Sequence, residues 1–407
     1  MNRIALITYD ISPYRGSEAS VSWNFVMKMS PHVHLTVLYG HGREDVERYL
    51  QDHETPNVEW VNIEPKEMAH TGLRGTWEYV RNFKAWQREV FARCSALAKS
   101  GKIDLIHYLN PIGFKEPGYC WKIKEVPYVW GPILTVENRP FSLYRTYTFK
   151  GKVGALTRRM VHNALFRLHP RVRAAIRRAD TILAASPTGV HMLHDIYGKD
   201  SVYLPENGIP RMERTGPVVW DAVKEPLQLI WVGRVNDENK AIGILLDALR
   251  RIPNLHWHLH VAGSGEIRPD QQKSLKPIAG KVTFHGLRPR EEVQKLFLRS
   301  HIHIISSMGE ANTTTIWEAM AKGVPTLTLD HCGMKAVVCE RCGIKIPIEG
   351  YDRVTARIAN EIANVCEHPE RVKRLSEGVL ECSRKFMWEN RIPLMLDIYN
   401  RLITSKE

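Results

Sequence analysis

The chain has 407 residues, a formal net charge of +13, and 43% hydrophobic and 25% charged residues. That length exceeds one ordinary core and predicts two α/β domains of about 200 residues each. The composition excludes a disordered or low-complexity chain. No apolar run approaches the length that spans a bilayer, and Ile4-Ala5-Leu6-Ile7 is too short for a signal-peptide core. It reads as a first buried strand, so the cytoplasm is the expected location.

From the N-terminus, Arg3–Thr8 is predicted as a strand, followed by a turn over Ser12–Ser17 and a helix over Glu18–Met29. His34–Tyr39 reads as the next strand, with Thr36 and Val37 favouring extended structure. Asp104–Tyr108 is a further strand, closed by the turn signal Asn110-Pro111. Pro127–Trp130 and Thr181–Ala185 complete a set of strands separated by helical stretches, which predicts a parallel sheet covered by helices.

Between those last strands the charge is uneven. Residues 139–178 hold eleven Lys/Arg and no Asp/Glu, interleaved with Phe141, Tyr144, Tyr147, Phe149, Leu156, Leu165, Phe166 and Leu168. Leu156–Leu168 can form a helix with one apolar and one basic face. Such a helix suits either contact with an anionic membrane surface or packing on a core with a solvated basic face. An anionic partner fits the pI near 9.4. Nucleic acid is not expected, because no finger, RNA-binding or basic-zipper pattern accompanies the charge.

The turn-rich stretch Leu204–Pro210 marks a domain boundary, giving an N-terminal domain over 1–205 and a second over 206–383. The strand–helix rhythm then restarts. Strands are predicted over Leu229–Val232, His256–Ala262, Lys281–Phe284, His301–Ile305 and Thr326–Leu329. Helices are predicted over Ile242–Arg251, Arg290–Ser300, Asn312–Lys322 and within 352–376. Doubly wound domains of this kind bind ligands beyond their strand ends.

Four features of the second half converge on a phosphate-bearing ligand. Gly233 and Arg234 close a strand, with Lys240 in the next loop or first helical turn, so that backbone can approach closely and two cations can neutralise a diphosphate. Gly263 and Gly265 form a glycine turn without the third glycine of a dinucleotide fingerprint. Phe284-His285-Gly286-Leu287 closes another strand. Finally, Glu310 and Glu318 bracket Ala311-Asn312-Thr313-Thr314-Thr315-Ile316-Trp317. There Asn312 or Thr313 can cap a helix whose free N–H groups and dipole favour an anion. If the interval is mostly helical, the two carboxylates are spread along a rise of about 12 Å. That is too far for the pairs that hydrolyse glycosides, at about 5 to 9.5 Å.

Seven cysteines without framework spacing fit a reducing compartment. His331, Cys332, Cys339 and Cys342 offer four zinc-ligand types. The six residues between Cys332 and Cys339 match no common finger, so small thiols packing a loop is the preferred reading.

Taken in order, Asn207-Gly208-Ile209, Val232-Gly233-Arg234, Gly263-Ser264-Gly265, Phe284-His285-Gly286 and Glu310-x7-Glu318-Ala319-Met320-Ala321-x-Gly323-Val324-Pro325 resemble family 4 retaining glycosyltransferases. The resemblance is strong over 204–345 and looser before. It implies a GT-B fold: two doubly wound Rossmann-like domains facing an interdomain cleft, with a C-terminal helix in 384–407 crossing back to the first. It further implies transfer of a hexosyl or N-acetylhexosaminyl group from a nucleotide-sugar, UDP-linked in the first instance or GDP-mannose. The acceptor would be a glycan or lipid-linked glycan of bacterial surface polysaccharide assembly, such as lipopolysaccharide.

By the same resemblance, Arg234 and Lys240 would bind the donor diphosphate and Glu310 the transferred sugar. Glu318 would hold the ribose hydroxyls, and Asn312, Thr313 and Thr314 would cradle phosphate. Gly286, Leu287 and Arg288 would border the base, and Gly16 would admit the diphosphate from the first domain. Lys240 follows Arg234 by six residues, one more than is usual. The family's His-x-His reads here as His107-Tyr108-Leu109, which leaves His107 either catalytic or a buried strand residue. Arg15, Glu18 and Asn110 are further candidates. No cofactor and no metal is implied, and the chain contains no Asp-x-Asp pair. A nucleotide-sugar epimerase on the same fold, a phosphorylase, and a decayed basic membrane-associated scaffold are the competing readings.

Overall fold

The computed structural model describes residues 1–16, 18–65, 77–235 and 239–406. Ser17, the end of the predicted turn after the first strand, lies outside them. Among the described residues the chain forms two compact units. The first comprises Met1–Val136, His162–Asn207 and Trp388–Glu407. The second comprises Glu137–Val161 and Gly208–Met387. A division by chain position alone has no place for the excursion of Glu137–Val161 into the second unit.

The first unit carries β1 (Arg3–Asp10), β2 (His34–His41), β3 (Val58–Asn62), β4 (Leu105–Tyr108), β5 (Tyr128–Ile133), β6 (Thr181–Ala184) and β7 (Val202–Tyr203). They pair in parallel in the order β3-β2-β1-β4-β5-β6-β7. The second unit carries β8 (Leu227–Val232), β9 (Trp257–Ala262), β10 (Val282–Gly286), β11 (Ile302–Ile305), β12 (Thr326–Leu329) and β13 (Gly343–Ile346). Their order, β10-β9-β8-β11-β12-β13, repeats the first sheet's with every pair again parallel.

The central strands are legible because both of their faces are covered. All residues of β4, β5, β11 and β12 are buried, which removes the polar alternation of a one-sided sheet and leaves short, mostly apolar runs. The strands that sequence patterning misses, β3, β7 and β13, lie at or near sheet edges. There part of the surface stays exposed and the apolar signal is diluted. The predicted helix over Glu18–Met29 is present over those residues, and Phe149–Leu168 is helical throughout. No helix among the described residues is long and apolar enough to cross a membrane.

In the first unit, the helix Trp388–Thr404 is tied to the Pro205–Asn207 turn through a buried guanidinium. Arg391 donates from Nη2 to the Pro205 carbonyl at 2.7 Å and from Nη1 to the Asn207 carbonyl, and it lies 4.6 Å from the Trp388 ring centroid. Burial pulls its pKa down to about 9, so the carbonyl bonds are what hold a charge in this place. Removing the guanidinium strands two buried carbonyls. Arg391→Met, which fills much of the volume, is expected to cost about 3 kcal/mol in chemical denaturation. A wild-type midpoint would contradict this role.

Candidate functional site

The strand order of the second sheet places a topological switch point between β8 and β11, where the chain leaves neighbouring strands in opposite directions and a crevice opens at their carboxyl ends. The sequence-predicted residues sort themselves around this point. Gly233 and Arg234 follow β8, and Ser306–Glu310 follow β11.

Glycine carbonyls and amides stitch the strand ends together. Gly233 N–H donates to Ala262 O and Gly263 N–H donates to Gly286 O, both at 2.9 Å, and Val235 N–H donates to Ser264 O at 2.7 Å. Gly263 has φ +146°, and a Cβ there would overlap the Gly233 carbonyl. This position accepts only glycine. Gly233 serves a second purpose, because the methylenes of Lys240 pass 3.3 Å from where its Cβ would be.

Lys240 is aimed by a relay from the sheet. Trp231 Nε1 donates to Ser306 Oγ at 3.0 Å, and the Ser306 hydroxyl donates to the Lys240 carbonyl at 2.7 Å. Its ammonium then lies 2.8 Å from Glu310 Oε2, while Asn239 Nδ2 donates to Glu310 Oε1 at 2.7 Å. Both charged side chains are about four-fifths buried, so the pair is shielded from solvent screening. Arg234 is exposed, and among the described residues no acidic group pairs with it.

The helix after Glu310 begins at Thr314 and ends at Ala321, two residues later than predicted. Thr313 takes the N-cap position, but its hydroxyl lies 3.0 Å from Thr315 Oγ1 and makes no capping bond. Residues 310–313 are therefore not helical, so the interval from Glu310 to Glu318 is helical only from Thr314 onward. Their partners distinguish the two glutamates. Glu318 lies 3.5 Å from Arg290 Nε. Burial raises its pKa, with Arg290 and Lys322 opposing.

Beside β10, Gly286 has φ +67°, Leu287 is 80% exposed, and Arg288 Nε donates to the His285 carbonyl at 2.9 Å. The sequence reading missed Arg139. Its Cγ lies 2.9 Å from where a Gly309 Cβ would stand, so this arginine packs over the residue before Glu310. Its partner is 170 positions away in the chain, and no local pattern announces such a contact.

In the first unit the structure decides between the two readings of His107. The residue is fully buried in β4. Its Nε2 is 2.6 Å from the Gly131 carbonyl and its Nδ1 is 2.6 Å from the Tyr399 hydroxyl. A carbonyl can only accept, so Nε2 carries the hydrogen and Tyr399 donates to Nδ1. Burial lowers its pKa to about 4. Both nitrogens are committed to internal partners, so the catalytic assignment of His107 is corrected to a structural one.

Other first-unit candidates are also engaged. Arg15 is held by Asp10 at 2.7 Å and Asp45 at 2.8 Å. Asn110 is buried and donates to Ser22 Oγ at 3.3 Å. Gly16 has open space where a Cβ would sit. Nor does His331 join Cys332, Cys339 and Cys342 in one cluster. His331 Nε2 is 3.1 Å from the Asn138 carbonyl, and the Cys332 thiol points to Met308 O at 4.0 Å.

Comparison with known proteins places this geometry. Residues 226–367, which contain the β8–β13 sheet, match the family described as glycosyl transferases group 1. A D-inositol 3-phosphate glycosyltransferase of Thermomonospora curvata is 25% identical over 254 residues, covering 54% of this chain and 57% of that protein. The chain thus spans little more than half the length of the curated relatives it matches. Among solved structures, sucrose-phosphate synthase from Thermosynechococcus elongatus superposes with a TM-score of 0.68 at 18% identity, covering 100% of both chains. Anabaena HepE in complex with UDP and glucose gives 0.63 at 15% identity, covering 99% of this chain and 100% of that one. At such identities the likeness is one of fold, and that fold is GT-B.

Two outcomes follow. Gly263→Ala forces a Cβ onto the Gly233 carbonyl at a positive φ. It should destabilise by about 2 kcal/mol or more in denaturant unfolding, and an unchanged midpoint would contradict the stitched strand ends. The second concerns pH. His107, His260 and His301 are held at about 4 chiefly by burial, against an ordinary 6.5. The unfolded chain therefore binds more protons between those values, and stability must fall as pH drops from about 6.5 towards 4. Thermal midpoints across that range should decline, and a flat profile would oppose this.

Proposed function

We propose that this chain is a retaining glycosyltransferase that moves a hexosyl or N-acetylhexosaminyl group from a nucleotide-sugar to a glycan or lipid-linked glycan acceptor. The observation that carries the reading is the convergence at the β8/β11 switch point. Lys240, Glu310 and the start of helix Thr314–Ala321 meet there, within a segment that matches glycosyl transferases group 1. A UDP-sugar is the favoured donor, supported by the fold's likeness to a protein solved with UDP and glucose, and GDP-mannose is the next candidate.

On this reading the second unit holds the donor. Lys240 and Arg234 take the diphosphate, aided by the opening amides and positive dipole end of the helix at Thr314, after Asn312 and Thr313. Glu310 positions the sugar hydroxyls and Glu318 the ribose, while Gly286, Leu287 and Arg288 border the base. The acceptor hydroxyl oxygen bonds to the anomeric carbon on the face from which the phosphate oxygen departs. Its proton passes to that leaving oxygen, and configuration is retained. Charge on the departing diphosphate is met by fixed cations and amides without a divalent ion, which is consistent with a chain lacking an Asp-x-Asp pair.

The lipid-linked acceptor rests on the helix Phe149–Leu168. Phe149, Val153, Leu156 and Met160 are exposed by 81%, 49%, 46% and 65%. Their spacing puts them on one stripe, flanked by Lys150, Lys152 and Arg159. An apolar stripe edged with cations suits the interface of an anionic membrane, which supports reading the chain as a peripheral protein on a cytoplasmic membrane face.

Arg234→Ala and Lys240→Ala are each expected to lower kcat about 10²- to 10³-fold while the fold survives, measured as sugar transfer or donor hydrolysis with circular dichroism as control. Turnover near wild type in both variants would remove the cationic-site reading.

A further inference from the structure

Three cysteine sulfurs meet in the second unit, away from the switch point. Cys339 Sγ lies 3.4 Å from Cys342 Sγ and 3.2 Å from Cys382 Sγ, and all three lie within 4.8 Å of one another. None is bonded: every cysteine of the chain is a free thiol, and these separations far exceed the roughly 2.05 Å of a disulfide. They are instead close to the roughly 3.8 Å between sulfurs that each stand about 2.3 Å from a tetrahedral zinc.

The backbone builds the cluster from both sides. Residues 339–342 form a closed turn, with Cys342 N–H donating to the Cys339 carbonyl at 3.0 Å and Cys339 N–H donating to Cys342 Sγ at 3.2 Å. An amide directed at a sulfur is the kind of outer contact that orients a metal-binding thiolate. The third sulfur arrives on the helix Glu370–Ser383. Gly378 lets that helix lie against the turn, since a Cβ there would overlap the Arg341 carbonyl. Cys382 stands four residues later on the same helix face. Arg341 and Glu381 add an ion pair at 3.1 Å across the same junction. Cys342 and Cys382 are buried, and Cys339 is partly exposed, which leaves a path for an ion.

We propose that Cys339, Cys342 and Cys382 bind a zinc-class thiophilic cation that clamps the 339–342 turn to the helix Glu370–Ser383. Three soft donors without a carboxylate among them select such an ion over magnesium or calcium. Each thiol releases its proton to solvent on binding. The fourth position of a tetrahedral ion is left to water or an external ligand. Cys339-x2-Cys342 has the familiar short spacing, but the third ligand is 40 residues further on. That is why His331 and Cys332 drew attention in the sequence instead.

The test uses the full chain, reduced and stripped of metal, titrated with Co(II) alone. A thiolate-to-cobalt charge-transfer absorption should rise and saturate at one equivalent, and Zn(II) should bleach it. Alkylation followed by peptide mapping should show Cys339, Cys342 and Cys382 protected by Zn(II), while Cys366 reacts equally with and without it. Cys339→Ser, at the partly exposed corner, should weaken Co(II) binding at least about tenfold, and Cys366→Ser should not. Absence of the absorption, its persistence in Cys339→Ser, or protection that ignores Zn(II) would each overturn the proposal. So would a Cys339 disulfide whose reduction restores no metal uptake.

Discussion

A parallel sheet that reverses its strand order leaves a gap it cannot close with its own hydrogen bonds. At the end of β8 the chain turns one way, at the end of β11 the other, and the diverging loops leave backbone and charge facing a crevice. In the second unit this constraint is filled by Gly233 and Lys240 from one loop and Glu310 from the other. The opposite charges sit 2.8 Å apart and largely out of solvent. A buried ion pair is costly unless its lone pairs and protons are satisfied. Asn239 on the second carboxylate oxygen supplies part of that satisfaction, while the Trp231–Ser306 relay fixes the Lys240 backbone carbonyl.

The glycines matter because of this pair. Gly233 clears the route of the Lys240 side chain, and Gly263 lets the β9 end approach the β8 end closely enough for amide contact. Such stitching holds the strand ends against one another, and the cation and the carboxylate are presented from the loops that leave β8 and β11. On the proposed reading, in which a diphosphate departs without a metal, that preorganisation matters because fixed donors act in the transition state without first reorganising.

What the sequence reveals, and what it hides, follows from the range of each interaction. The central strands and the Glu18–Met29 helix were legible because burial on both faces, or on one helix stripe, writes a local pattern. Gly263 was legible because its strand-end turn imposes a residue type at a fixed position, and Lys240 and Glu310, singled out in the sequence, meet in the structure. Arg139 beside Gly309, Cys382 beside Cys339 and the passage of Glu137–Val161 into the second unit were not. The first two join residues 170 and 43 positions apart, and all three are set by how elements pack. His107 shows the opposite error. A family pattern drew attention to it, yet its two nitrogens are spent on Gly131 and Tyr399. The helix expected from Asn312 starts at Thr314, because the cap geometry that sets a helix start is not fixed by residue type alone.

The account stands on the diphosphate lying at the ends of β8 and β11. A crystal structure of the chain with UDP tests this most directly. Phosphate oxygens within hydrogen-bonding distance of Lys240 Nζ and of the amides opening the helix at Thr314 are the predicted result. UDP bound elsewhere, with Lys240 still held by Glu310 and touching no phosphate, would contradict it.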